Sequence, residues 1–185
     1  MLQKKLWIAT LALVWGLTGC LHDHDHDHDD DHKDPIIDAI EHGCKHLDDA
    51  IVEIKADSTK PGPDAGAYAH KHFKVTLAKV SDALYRGAFK IHVEESSDLV
   101  LMVSEEVSVE FFKVDGESFT AIAAEKEVAK QKILDEAKCA GLQKAWVFEV
   151  EDHKDYVIQL SSASVSSLSL LLEAAAHGNG HGHAH

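Results

Sequence analysis

His70-Lys71-His72-Phe73-Lys74-Val75-Thr76-Leu77 alternates polar with apolar side chains from His72 onward. That period of two predicts a β-strand. It buries Phe73, Val75 and Leu77 and turns His70, His72 and Thr76 the other way. The same signal recurs on both sides. Residues 50–56 alternate and are β-branched, and a Pro/Gly loop follows over 57–66. Further strands are predicted for 87–94 through Phe89, Ile91 and Val93, and for 98–103, a more continuous apolar run. Val107, Val109 and Phe111 alternate up to an Asp115-Gly116 turn, with a return strand over 119–123. Residues 146–150 and 156–160 predict a hairpin. Residues 166–174 fit a last strand or a helix equally well.

Two stretches break this rhythm. Asp34 is a candidate N-cap with Pro35 at the first helical position, and Ile36, Ile37 and Ile40 follow at helical spacing. A short helix is predicted there, with Gly43 able to stop it. Residues 125–138 lack strand formers and carry Val128, Ile133 and Leu134 among charges, which predicts a second helix ending at Cys139 and Gly141. Many short strands with turns at near-regular intervals predict a mainly β fold. The expectation is a β-sandwich of Greek-key or jelly-roll kind over 35–175, capped by one or two short helices.

The flanks are built differently. Residues 1–19 place Lys4 and Lys5 before an apolar run from Leu6 to Gly16. This is the layout of a secretory signal peptide, too short to span a bilayer. Residues 20–34 contain His22, His24, His26, His28 and His32 alternating with aspartates. There is nothing apolar to bury after Leu21, so a disordered tether is expected. Residues 176–185 form a second tail of this kind, with His177, His181, His183 and His185 among Gly and Asn. Clustered imidazoles and carboxylates suit Zn²⁺, Ni²⁺ and Cu²⁺.

Leu17-Thr18-Gly19-Cys20 resembles the lipobox of bacterial lipoproteins. The resemblance implies that Cys20 is acylated and anchors the mature chain to a membrane. Leu21, rather than Asp, follows the cysteine, which in that family points to the outer membrane and a periplasm-facing domain. The tract at 22–32 is similar to the His-rich loop of periplasmic zinc-binding proteins that serve importers. The chain lacks the size and βα repeats of that family, so only the metal scavenging carries over. The spacing of Cys44-Lys45-His46-Leu47, His70-x-x-Phe73 and Cys139 is similar to small exported bacterial β-sandwich proteins, which implies a fold and leaves function open.

The chain has 185 residues, 15 of them histidine, and a net charge of −14. Removing the leader's two lysines leaves about −16. Such a protein repels phosphate backbones, so nucleic acid is excluded as a partner and cations are favoured. With Cys20 assigned to lipid, Cys44 and Cys139 remain. In an exported protein the pair is most simply a disulfide; the rival is a thiolate metal site of Cys44 with His42 or His46. Within the domain His70 and His72, two apart on a strand, are the candidate metal ligands, with His46, His92 or His153 as a third. No Gly-x-Ser-x-Gly, His-Glu-x-x-His or phosphate loop is present, so no enzyme is expected. The expected function is metal capture, buffering or handover to a transporter, zinc first. The rival class is an interaction or structural envelope lipoprotein that binds metal only incidentally.

Overall fold

A strand forms at residues 71–76 because alternate side chains there have a core to face. In the computed structural model, which describes residues 33–67 and 70–175, the chain runs α1 (Pro35–Lys45), a 3-10 turn (His46–Asp48), β1 (Ile51–Lys55), β2 (Asp64–Ala67) and β3 (Lys71–Thr76). It continues through β4 (Ala78–Ser81), β5 (Leu84–Val93), β6 (Ser97–Val103), β7 (Ser108–Asp115), β8 (Ser118–Ile122) and β9 (Lys126–Ala129). A short α2 (Lys130–Lys132) passes into a π-helix (Ile133–Ala137), and β10 (Lys144–Val150), β11 (Lys154–Ser162) and β12 (Ser167–Ala175) complete it.

The strands make two sheets. One has the order β1-β3-β12-β6-β10-β9, the other β2-β5-β11-β7-β8, with β4 beside β2 on the outer edge of β5. Leaving out the edge strands β1, β2, β4 and β9, eight strands remain. Numbered in turn, they lie 1-8-3-6 in one sheet and 2-7-4-5 in the other. That is the double Greek key of a jelly-roll sandwich.

Apolar side chains fill the space between the sheets. Phe73 and Val75 of β3, Phe89 and Ile91 of β5, Leu99 and Leu101 of β6 and Leu170 of β12 are all fully buried in it. Phe111 stacks on Phe148 and on Tyr156, with ring centroids 4.4 and 5.1 Å apart. Each such side chain contributes roughly 1.5–3 kcal/mol on burial. The interior is thus a packed core, and chemistry has to be sought outside it.

A second apolar layer covers the outer face of the first sheet. Ile37 and Ile40 of α1, with Ile133, Ala137 and Leu142, pack on Val100 and Met102 of β6 and Leu171 of β12. β6 and β12 are therefore buried on both faces, which is why their sequences run nearly continuously apolar rather than alternating. It also decides 166–174 in favour of a strand.

Four expectations change. Residues 64–67 pair with β5 as a strand rather than staying loop. The helix expected over 125–138 is strand up to Ala129, because Val128 lies opposite Ala145 in the same buried layer; only Lys130–Lys132 is α-helical before the π-turn. Gly43 does not stop α1 but faces the sheet. A Cβ there would come within 2.6 Å of Met102 Cε and 3.0 Å of Glu173 Cγ, so glycine lets the helix approach closely. The hairpin expected between 146–150 and 156–160 is a crossover: β10 pairs in one sheet and β11 in the other. Trp146, Phe148, Tyr156 and Ile158 all point into the shared core, and Tyr156 Oη accepts a hydrogen bond from Glu151 N (2.8 Å) at the corner. The β7–β8 hairpin at Asp115-Gly116 forms as read, with Gly116 at φ +62°.

Candidate metal centre

α1 starts as its sequence dictates. Asp34 accepts a hydrogen bond from Ile36 N (3.0 Å) and binds Lys126 Nζ (2.9 Å). The helix buries Ile37, Ala39, Ile40 and Gly43 against the sheet. His42, one turn before its end, and His46, at its C-cap, are four residues apart and lie on one side; their ring centroids are 4.8 Å apart.

β12 brings the carboxylate. Leu171, Glu173 and Ala175 alternate onto the outer face, so Glu173 enters the apolar layer under α1 and is 1% exposed. β3 pairs with β12 as His72 opposite Leu171 and Lys71 opposite Leu172. Continuing that register by one sets position 70 against 173. His70 stands there in the left-handed region, φ +55°, a conformation unusual for a residue other than glycine.

Four side chains therefore meet, and the ligand atoms of His42, His46, His70 and Glu173 all lie within 4.8 Å of one another. Glu173 Oε2 is 2.7 Å from His70 Nδ1 and 3.3 Å from His42 Nδ1. Its other oxygen, Oε1, has no hydrogen-bond partner, and neither has His46 Nε2, 3.9 Å away; both atoms are buried. His46 Nδ1 is hydrogen-bonded to Asp49. In the tautomer whose Nδ1–H donates to Asp49, Nε2 has a lone pair to offer a cation. Two buried polar atoms thus face each other, neither with a hydrogen-bond partner. A buried unpartnered polar atom costs about 1–3 kcal/mol, more when charged. A cation between them removes that cost, and the Asp49 contact is the kind of carboxylate–imidazole pairing that orients metal-bound histidines.

The spacing suits a small ion. Around tetrahedral zinc, with bonds of about 2.0–2.2 Å, ligand atoms sit roughly 3.3–3.5 Å apart. Glu173 is fixed in the buried layer, whereas the His42 and His70 side chains are about half exposed (49% and 54%). A cleft of about 280 Å³, lined by Pro35, Asp38, Ala39, His42, His70, Glu173 and Ala174, opens the group to solvent.

Of the residues singled out from sequence, His70, His46 and His42 come together here. His72 does not join them: it is 4% exposed, opposite Leu171, and both its ring nitrogens lack partners. His92 instead contacts Asp155 (2.8 Å), and His153 lies between β10 and β11 at φ +52°. Cys44 and Cys139 form a disulfide, with Cα atoms 5.9 Å apart, which leaves Cys44 no thiolate to offer a metal. Cys20, His22, His24, His26, His28, His32, His177, His181, His183 and His185 lie outside the described residues.

Glu173 was missed as a ligand, and His42 was read only as a rival partner of Cys44. The signal for His42 was its spacing of four from His46 on a predicted helix. That for Glu173 was its isolation, as the only Asp, Glu, Lys or Arg after Asp155. No protein-family model matches the chain, and no curated protein matches it.

Proposed function

We propose that this protein captures a divalent transition-metal ion, zinc before others, for buffering or handover within the cell envelope. The ion is held by His42, His46 and His70 with Glu173. The single observation that carries this reading is the pair of buried atoms Glu173 Oε1 and His46 Nε2, 3.9 Å apart and each without a hydrogen-bond partner. The donor set of three imidazoles and one carboxylate suits Zn²⁺, Ni²⁺ and Cu²⁺. The sequence supports the rest of the reading: acyl chains on Cys20 hold the chain at a membrane, facing the periplasm. The imidazoles of 22–32 and 177–185 collect ions weakly at many equivalent sites, so that an ion leaving one is recaptured by another.

A competitive zinc titration tests it, on chain beginning at Leu21 and on the same chain with the histidines of both tails replaced by serine. The expected result is that the substituted chain keeps one tight site and loses the weak capacity. Loss of all binding with the tail histidines would overturn the assignment to the folded domain.

A further inference from the structure

The disulfide and the four-ligand group hold the same few residues. Cys44 lies on α1 between His42 and His46. The first half of the helix is fastened independently, by Ile37 and Ile40 in the apolar layer and by Asp34 on Lys126. Beyond Gly43 the fastening is thin. The 3-10 turn His46–Asp48 buries no residue. Leu47 is only partly buried, packed on the same layer. The strong tie there is Cys44 to Cys139, which is fully buried after the π-helix.

We propose that the Cys44–Cys139 disulfide controls metal affinity at the His42/His46/His70/Glu173 site, so that reduction releases the ion. The inference rests on the metal-binding reading above. Its physical basis is shared ordering. Holding residues 42–46 against the sheet costs conformational entropy once, and the disulfide and the ion each benefit when the other has already met that cost. Because the turn after Cys44 buries no residue, cutting the disulfide frees the end of α1 to move away from Glu173. The reductant is a dithiol. It attacks at the half-buried Cys44 sulfur and gives two electrons and two protons, leaving both cysteines as thiols while it becomes a disulfide itself.

Linkage makes the effect reciprocal: whatever factor reduction takes from zinc affinity, zinc takes from the ease of reduction. A coupling of about tenfold is expected, which for this two-electron couple is about 30 mV.

The experiment uses the chain from Leu21 with serine at the tail histidines, so that only the folded site is read. Zinc affinity is measured for this chain and for its Cys44→Ser/Cys139→Ser form, which carries no thiol that could itself bind zinc. Circular dichroism at the assay temperature establishes that the form is folded. In parallel, the extent of disulfide reduction in a dithiol redox buffer is followed with and without zinc, and again in a His46→Ala variant. The supporting result is affinity lowered about tenfold without the disulfide, together with protection from reduction by zinc that vanishes in His46→Ala. Should the serine form fail to fold, the protection measurement decides alone. Equal affinity in both forms, or zinc-independent reduction, overturns the coupling and leaves the site standing. Absence of a tight site in the oxidised chain is the different failure, that of the metal-binding reading itself.

Discussion

Two histidine–carboxylate pairs in this protein are built on the same plan and differ in what surrounds them. Asp155 of β11 lies directly opposite His92 of β5, and Glu173 of β12 lies across from His70 at the start of β3. Asp155 is half exposed and shares Lys90 (3.2 Å), which also binds Asp64 (2.9 Å). The hydrogen bond from His92 holds its carboxyl below the usual carboxylate range; burial opposes this and Lys90 adds to it. The cation there is a permanent part of the chain. Glu173 is buried, and its partners are all imidazoles. A carboxylate already supplied with lysine needs nothing more. Glu173 has no lysine or arginine among these partners, and on the proposed reading a metal ion supplies the cation.

The comparison breaks most sharply at the carboxylates. Glu173→Gln removes the charge and keeps the shape, and should weaken zinc binding at the folded site by about 100-fold, roughly 2.7 kcal/mol. His92→Ala should change it by less than about twofold. Competitive titration of both variants in the tail-substituted chain reads the contrast; similar losses would mean that the two pairs do the same job.

Acid separates them next. With zinc near 100 times its dissociation constant, the domain should gain about 2.7 kcal/mol, a rise in melting temperature of roughly 5–10 °C. That gain should fade in acid, because protons compete with the ion for the ligand atoms. The Asp155 pair behaves otherwise. Its folded pKa is depressed, so its stabilisation is complete above the ordinary aspartate value and is lost only as pH falls through the lower folded one. Melts across pH with zinc and with a chelator should therefore draw together as the solution is acidified.

The smallest effect is at Gly43. Alanine in a helix is ordinarily favourable by up to about 1 kcal/mol, but here the added methyl meets Met102 and Glu173 in a packed layer. We expect a net loss of about 1 kcal/mol and zinc affinity lower by a few fold, because the helix that carries two ligands is pushed outward. A more stable Gly43→Ala variant with unchanged affinity would show that α1 has room to spare.

Much of the fold was legible because alternation is local. Phe73-x-Val75-x-Leu77 and Phe89-x-Ile91-x-Val93 each reveal a strand and its inward face without reference to anything distant. Legibility failed where a second layer intervenes. In 166–174 a helix under one face hides the alternation, and the strand emerges only when Leu168, Leu170 and Leu172 are known to face one core and Leu171 the other. The pairing of β10 and β11 was misread for a related reason: strands adjacent in sequence can face each other across a core or lie side by side, and their residues look alike in both cases. The site was half legible. His46 and His70 carry their chemistry on their face. Glu173 does not, since its role follows from a β3–β12 register that joins residues about a hundred positions apart.

Pro35 and Ala174 line the same cleft, so the described part of the chain starts and finishes at one place on its surface. Such a domain is suited to being rewired. A few residues joining 175 to 34 would close the backbone into a ring, and the ring could be reopened at the exposed Gly116-Glu117 tip between β7 and β8 with every strand pair kept. The permuted chain would carry its new ends on the β7–β8 tip, which does not line the cleft.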